Sequence, residues 1–331
     1  GRTDPAATTT PGPTEARRHL AAMAGAAAGA CVMEVSSHGL QQRRVDGLRF
    51  AGAVYTNLTG DHLDYHGSME SYAAAKARLF GLLDAGAVAV LNAGDAACSR
   101  VRTAARVVRF GLEGAETGPA GTSFRWRGRR VETALVGTHN AENAVAALEC
   151  ARALGVDPDL ARRRLGSAAP VRGRLEPVQR GPYLVLVDYA HTDDALQRAL
   201  AAVRPLTRGR LILVFGCGGD RDRTKRPRMG AGAARGADRI LVTNDNPRTE
   251  PPGRIAGEIC RGIRGREVRV ELDRRRAIAA ALREARPGDA VLIAGKGHEA
   301  SQVIGRERIP FDDAAVAREL LARRDHPNCW V

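Results

Sequence analysis

Lysine is almost absent from this sequence. Of its 51 basic residues only Lys76, Lys225 and Lys296 are lysines, so arginine supplies nearly every generic positive charge. A guanidinium stays protonated, whereas a buried lysine can lose its proton and do amine chemistry, so each surviving lysine asks for a chemical reason. Aromatic residues are also scarce, at 4%, and no helix-turn-helix, finger or RNA-binding motif accompanies the formal charge of +14. That combination argues against nucleic acid as a partner and favours an anionic small molecule drawn by the same field. No apolar run is long enough to span a bilayer and no basic-then-apolar leader is visible, so membrane insertion is not expected. The cysteines Cys31, Cys98, Cys150, Cys217, Cys260 and Cys329 contain no close pair. Their scatter suggests neither a zinc site nor a disulfide framework, and a reducing cytoplasm is expected.

What is present is a chain of 331 residues, 44% hydrophobic and 27% charged, enough to bury more than one core. Segments 29–36, 53–57 and 86–91 read as short buried strands, with helical spacing over 69–83. Residues 123–137 alternate like a hairpin turning at Arg127 and Gly128, a helix follows over 141–154, and Asp157-Pro158 opens another. Beyond residues 169–178 the pattern becomes regular. Strands predicted at 183–188, 211–215, 239–243, 268–272 and 290–294 alternate with amphipathic or alanine-rich helices, which implies a mostly parallel, doubly wound α/β sheet. Two domains are expected, 1–170 and 171–331. The stretches "VDYAHT", "FGCGGDRD", "TNDNPRTE" and "AGKGHE" each follow one of these strands. Ligands of open α/β sheets bind outside the carboxyl ends of the strands, so four motifs share the expected binding edge.

In the first half, Glu34 ends an expected buried strand in "VMEVSSHG", and "TNLTGDHLDYHGSMESYAAAK" supplies Asp61, His62, Asp64, His66 and Lys76. Carboxylates and imidazoles with a serine-rich loop suit a divalent cation bound to a phosphate, because magnesium takes few protein ligands and leaves positions for substrate oxygens.

Eight stretches in order, "MEVSSHGL", "TNLTGDHLDYHGSMESYAAAK", "GTHNAENAVAAL", "VRGRLEPV", "VDYAHTDDAL", "FGCGGDRDRTKRPRMG", "TNDNPRTE" and "AGKGHE", make the chain resemble the MurE-type Mur ligases. The resemblance implies a Mur ligase central domain followed by a Rossmann-like C-terminal domain. It also implies ATP-dependent addition of meso-diaminopimelate to UDP-MurNAc-L-Ala-D-Glu through an acyl phosphate. On it, Glu34 and His62 match magnesium ligands, and Lys76 matches the lysine that carbon dioxide carbamylates into an anion able to hold Mg2+. Thr9, Thr10, Ser36, Gln42 and Arg44 match contacts to the UDP-MurNAc-dipeptide. Asn140, Arg174 and Asp188 match contacts to the ATP nucleotide. Arg221, Asp245, Asn246, Pro247, Arg248, Gly295 and Glu299 match the amino-acid contacts, Arg248 being the residue that selects diaminopimelate over lysine. The physics agrees, since a guanidinium can hold the extra distal carboxylate with two charge-assisted hydrogen bonds.

Two departures from the family pattern stand out. Thr8 occupies a position where many relatives carry asparagine. No stretch has the Gly-x-x-Gly-Lys-Thr arrangement that cradles phosphates, so the chain is expected to be a fragment of a longer ligase. A homologue that binds diaminopimelate or muramyl peptide without ATPase activity is the alternative, against which intact Glu34, His62 and Lys76 weigh.

Overall fold

The computed structural model describes residues 8–59 and 63–324. Its chain divides into two compact units, one drawing on residues up to Gly111 together with Asn143–Ala161, the other on Leu112–Glu142 and the residues from Arg162 onward.

The first unit contains α1 (Pro13–Gly25), α2 (Ser37–Gln41), β1 (Gly52–Tyr55), α3 (Leu63–His66), α4 (Met69–Gly81), β2 (Val88–Asn92) and β3 (Arg106–Phe110). The strands form a parallel sheet in that order. β2 lies in the middle and buries Val88, Ala89, Val90 and Leu91, which is why it reads as an unbroken apolar run rather than an alternating one. The Ser68 hydroxyl accepts from the Ser71 N–H to cap α4, whose Tyr72, Ala75 and Phe80 turn inward. Phe80 packs with Tyr55, Leu83 and Leu91.

The strand expected over 29–36 does not form. β1 pairs only with β2, and Val32 is 98% exposed, so this β-prone run finds no neighbour to complete a hydrogen-bond ladder among the described residues. An extended segment without a partner stays irregular. Its end is fixed instead by Thr10, whose hydroxyl donates to the Glu34 carbonyl at 3.1 Å and accepts from the Ser36 N–H at 2.8 Å.

In the second unit, β4 (Glu113–Gly118), β5 (Gly121–Trp126) and β6 (Arg129–Thr133) form an antiparallel sheet. The hairpin turns at Arg127 and Gly128, as its sequence predicts, and gains β4 as a third strand. α5 (Thr138–Ala153) and α6 (Pro158–Gly166) follow, with their Asn143–Ala161 portion belonging to the first unit, and α6 is opened by the Asp157 carboxylate accepting from the Leu160 N–H. Then come β7 (Glu176–Arg180), β8 (Leu184–Asp188), α7 (Asp193–Val203), β9 (Leu211–Phe215), α8 (Lys225–Gly236), β10 (Arg239–Val242), α9 (Pro252–Cys260), β11 (Val268–Val270), α10 (Arg274–Glu284), β12 (Ala290–Ala294), the hairpin β13 (Ser301–Ile304) and β14 (Glu307–Pro310), and α11 (Asp313–Arg324).

Six of these strands make one sheet in the order β11-β10-β9-β12-β8-β7, parallel except for the antiparallel edge strand β7. Alternation along each strand feeds two cores. Leu186, Leu213 and Leu292 face α7, α8 and α9 through Leu196, Met229 and Ile259, while Val187, Val214 and Ile293 face α10 and α11 through Ile278 and Leu320. Each such side chain contributes roughly 1.5–3 kcal/mol by leaving water. The chain steps outward from β9 to β10 to β11, then returns to lay β12 between β9 and β8. Doubly wound sheets bind ligands at such a reversal, which here falls at the carboxyl ends of β9 and β12.

Candidate functional site

The edge of the large sheet gathers three of the four motifs into one hydrogen-bonded cluster. Asn246, four residues past β10, donates through Nδ2 to Glu299 Oε2 at 2.9 Å and accepts at Oδ1 from the Val303 N–H at 2.9 Å. Lys296, directly after β12 and Gly295, is fully buried and donates through Nζ to Asn246 Oδ1 at 3.0 Å and to Glu299 Oε2 at 2.9 Å. Burial alone would raise the Glu299 carboxyl. The hydrogen bonds from Lys296 and Asn246, with the charges of Lys296 and Arg248, outweigh it and hold the group below the usual carboxylate range.

Arg248 adopts a positive φ of 51°, a costly conformation for a side-chain-bearing residue. Its surroundings over-determine it: the backbone N–H donates to the Val303 carbonyl at 3.1 Å and the carbonyl accepts from Gly305 at 2.7 Å. Among the described residues the guanidinium makes a single hydrogen bond, Nη1 to the Gly219 carbonyl at 2.7 Å, and so keeps most of its donors for a ligand. Glu250 is not its partner. That carboxylate accepts two bonds from the buried Arg226 and one from the Asp220 N–H. Arg221 is exposed and flanks the same glycine, Gly218, as Arg248 does.

Asp245 is buried behind this cluster. Gly295, with φ 117°, leaves it room, since a Cβ there would lie 2.6 Å from Asp245 Oδ2. Pro247 joins Asn246 to Arg248, and its carbonyl is so close to Gly219 that a Cβ on the glycine would meet it at 1.9 Å. The structure thus collects every residue expected to contact the amino acid along one edge of this unit.

The nucleotide candidates lie in the same unit. Asn140 is buried and donates to the Val136 carbonyl at 2.8 Å. Asp188 ends β8 and accepts from the Leu175 and Ala190 N–H groups at 2.7 and 2.8 Å; burial pushes its carboxyl up against the opposing pull of those bonds and of Arg174. The Arg174 guanidinium stands 5.1 Å from the centre of the Tyr189 ring, which also neighbours His191 and His298. His139, beside Asn140, is lowered to about 4 by burial and then by Arg198 and Arg174, so it is neutral at pH 7.

In the first unit, Thr10, Ser36, Gln42 and Arg44 come together. Arg44 donates to Gln42 Oε1 at 3.0 Å through Nε and at 2.5 Å through Nη2, and to the Thr10 carbonyl at 2.8 Å. Ser36 caps α2 by accepting from Gly39. Thr9 is exposed and makes no hydrogen bond among the described residues. His66 and the Ser37 hydroxyl are 2.9 Å apart, in a ring cluster with His38, Tyr65 and Tyr72.

Lys76 donates through Nζ to the Asn57 carbonyl at 3.0 Å and lies 5.0 Å from the Tyr72 ring and 5.6 Å from the Tyr55 ring. Glu34 is exposed, and Asp61 and His62 lie outside the described residues. No group of three His, Cys, Asp or Glu among the described residues is arranged to hold a metal ion. Were Lys76 to carry a carbamate, it and Glu34 would offer the carboxylate oxygens that Mg2+ takes as ligands.

Residues 1–151 match the Mur ligase middle domain and residues 173–297 the Mur ligase glutamate ligase domain. A relative from Gloeobacter violaceus, UDP-N-acetylmuramoyl-L-alanyl-D-glutamate--2,6-diaminopimelate ligase, is 47% identical over 98% of this chain and 70% of its own length. The chain belongs to the Mur ligase family. Another ligase of the same name, from Synechococcus elongatus, is 45% identical over 98% of the chain and 69% of its own length. A solved structure of such a ligase superposes with a TM-score of 0.63 at 37% identity, covering 94% of this chain and 68% of that one. The α/β architecture expected from the strand pattern is therefore that of Mur ligases.

Arg274 lies outside every motif of the sequence, whereas Arg226 and Gly218 fall within "FGCGGDRDRTKRPRMG". Both arginines sit in arginine-rich stretches, and both are fully buried.

Proposed function

We propose that this chain carries the binding and catalytic residues of an ATP-dependent, ADP-forming ligase that adds meso-diaminopimelate to UDP-MurNAc-L-Ala-D-Glu for peptidoglycan synthesis in the cytoplasm. One observation supports this reading above the rest: a guanidinium with unused donors, Arg248, stands electrostatically coupled to a carboxylate, Glu299, at the ligand edge of the sheet. The distal centre of diaminopimelate bears one carboxylate and one ammonium, and this pair offers the complement of each. Lysine lacks that carboxylate.

In the reaction, ATP phosphorylates the terminal carboxylate of the dipeptide. The amine of diaminopimelate then attacks the acyl carbon, forming the C–N bond, breaking the C–O bond to phosphate and losing a proton. Asp245, Asn246 and Glu299 hold the amino acid, with Arg221, Pro247 and Gly295 shaping the edge around it. Asn140, Arg174 and Asp188 take the nucleotide. Thr9, Thr10, Ser36, Gln42 and Arg44 take the UDP-MurNAc-dipeptide. Glu34, His62 and carbamylated Lys76 hold Mg2+, which when bound offsets phosphate charge.

The test is the ratio of kcat/KM for meso-diaminopimelate over lysine, read as ADP release by the full-length gene product. Arg248→Ala should lower the diaminopimelate value by about 2–5 kcal/mol of transition-state stabilisation while sparing KM for the nucleotide-linked dipeptide. Arg248→Lys should recover little, because an ammonium lacks the planar fork. An unchanged ratio would remove Arg248 from the amino-acid site.

A further inference from the structure

Of the three lysines, Lys296 is the one that is wholly buried. Sheltering an ammonium from water is costly, and an apolar side chain of similar volume often serves stability as well or better. Stability is thus a weak reason for a lysine here, in a chain that otherwise avoids the residue. The hydrogen bonds suggest a stronger one. Lys296 Nζ and Asn246 Nδ2 both donate to the same oxygen, Glu299 Oε2, each at 2.9 Å. Glu299 Oε1 accepts nothing among the described residues, and the side chain is 33% exposed. The carboxylate is therefore held through one oxygen, while the other has no donor among the described residues.

The charges point the same way. Lys296 neutralises Glu299 locally, so the excess positive charge of Arg248 is left to a ligand. Without Lys296, Glu299 would keep the Asn246 hydrogen bond and the Arg248 charge, but the site would lose the excess positive charge that opposes a substrate cation lacking a carboxylate. We propose that Lys296 is a positioning residue for the amino-acid substrate: by clamping Oε2 it presents Oε1 to the distal ammonium of diaminopimelate, and by cancelling the carboxylate charge it biases the site against lysine. This role rests on the function proposed above. Lys296 touches no reacting atom, and it acts through Glu299.

The experiment is a double-mutant cycle in the full-length gene product, with Lys296→Met, Glu299→Gln and the combination assayed on diaminopimelate and on lysine. Lys296→Met should raise KM for diaminopimelate about tenfold, the worth of one charge-assisted hydrogen bond, leave kcat nearly unchanged, and lower the preference over lysine. In the Glu299→Gln background the same substitution should add less than a further factor of about two, because the group it acts through is gone. Unchanged KM, or an equal penalty in both backgrounds, overturns the proposal.

Lysine scarcity supplies a second measurement that needs no folded Lys296 variant. Lys296 is one of only three lysines in this chain, and in the full-length gene product labelled with 15N-lysine its side-chain signal is assigned by elimination through single Lys→Arg replacements of the other lysines, Lys76 and Lys225 among them. Saturating diaminopimelate should shift it, and a signal that stays put refutes the role. Failure of the wild type to ligate diaminopimelate refutes the proposed function itself; ligation with a silent Lys296 refutes the positioning role alone.

Discussion

Arg274→Met should be the most damaging single substitution in the large sheet's unit. The guanidinium and the Asp313 carboxylate are both 0% exposed and meet through two bonds of 2.7 Å. Arg274 also donates to the Asn244 carbonyl at 3.1 Å and the Ala294 carbonyl at 3.0 Å, tying together the loops that lead to Asp245 and Gly295. Burial alone would lower its pKa, but the charge of Asp313 and the hydrogen bonds to it prevail and raise it, so the cation is firmly held. Removing it strands a buried anion and two carbonyls. Breaking one side of such a pair costs about 3–5 kcal/mol, a factor on the order of 10²–10⁴ in the folding equilibrium, against a typical total of roughly 5–15 kcal/mol. Hydrogen exchange of the β9 and β12 amides reports this unit apart from the other. Their protection should fall by that factor, and Arg274→Met/Asp313→Leu should regain most of it because neither charge then remains buried. A loss below about 1 kcal/mol would refute the argument, since it would mean that water or local rearrangement solvates Asp313 at little cost.

Two adjacent glycines should behave oppositely. In Gly218→Ala the new Cβ would meet Arg248 Nη1 at 2.9 Å, the end of a flexible side chain, so stability should hold while KM for diaminopimelate rises; in Gly219→Ala it would meet the Pro247 carbonyl at 1.9 Å, and thermal melting should show a loss of stability. Equal melting temperatures for the two variants would contradict this. Lys76→Ala should abolish ligation in the full-length gene product, with partial recovery when a short carboxylic acid replaces the missing anion, and Lys76→Arg should be equally inactive because its charge opposes Mg2+. Full activity of the arginine variant would exclude a carbamate at Lys76.

The sequence by itself determined the α/β class, the parallel strand array and the edge on which the motifs lie. Those features follow from local signals: apolar runs such as 211–215 and 290–294 bounded by glycine or polar turns, and helices spaced between them. Arg248 was legible for the same reason, since it ends a turn directly after a strand. The tertiary structure alone decided the rest. Segment 29–36 has strand composition but no ladder, because pairing depends on a neighbour that local sequence does not specify. The burial of Arg226 and Arg274 is another such feature, because their partners Glu250, Glu258 and Asp313 lie 24, 32 and 39 residues away. Lys296 was conspicuous as a rare residue in a motif, yet its task became visible only when β10 and β12 were brought to one edge and Asn246, Lys296 and Glu299 met around a single oxygen. Burial and long-range charge pairing are properties of the folded chain, and no window of sequence contains them.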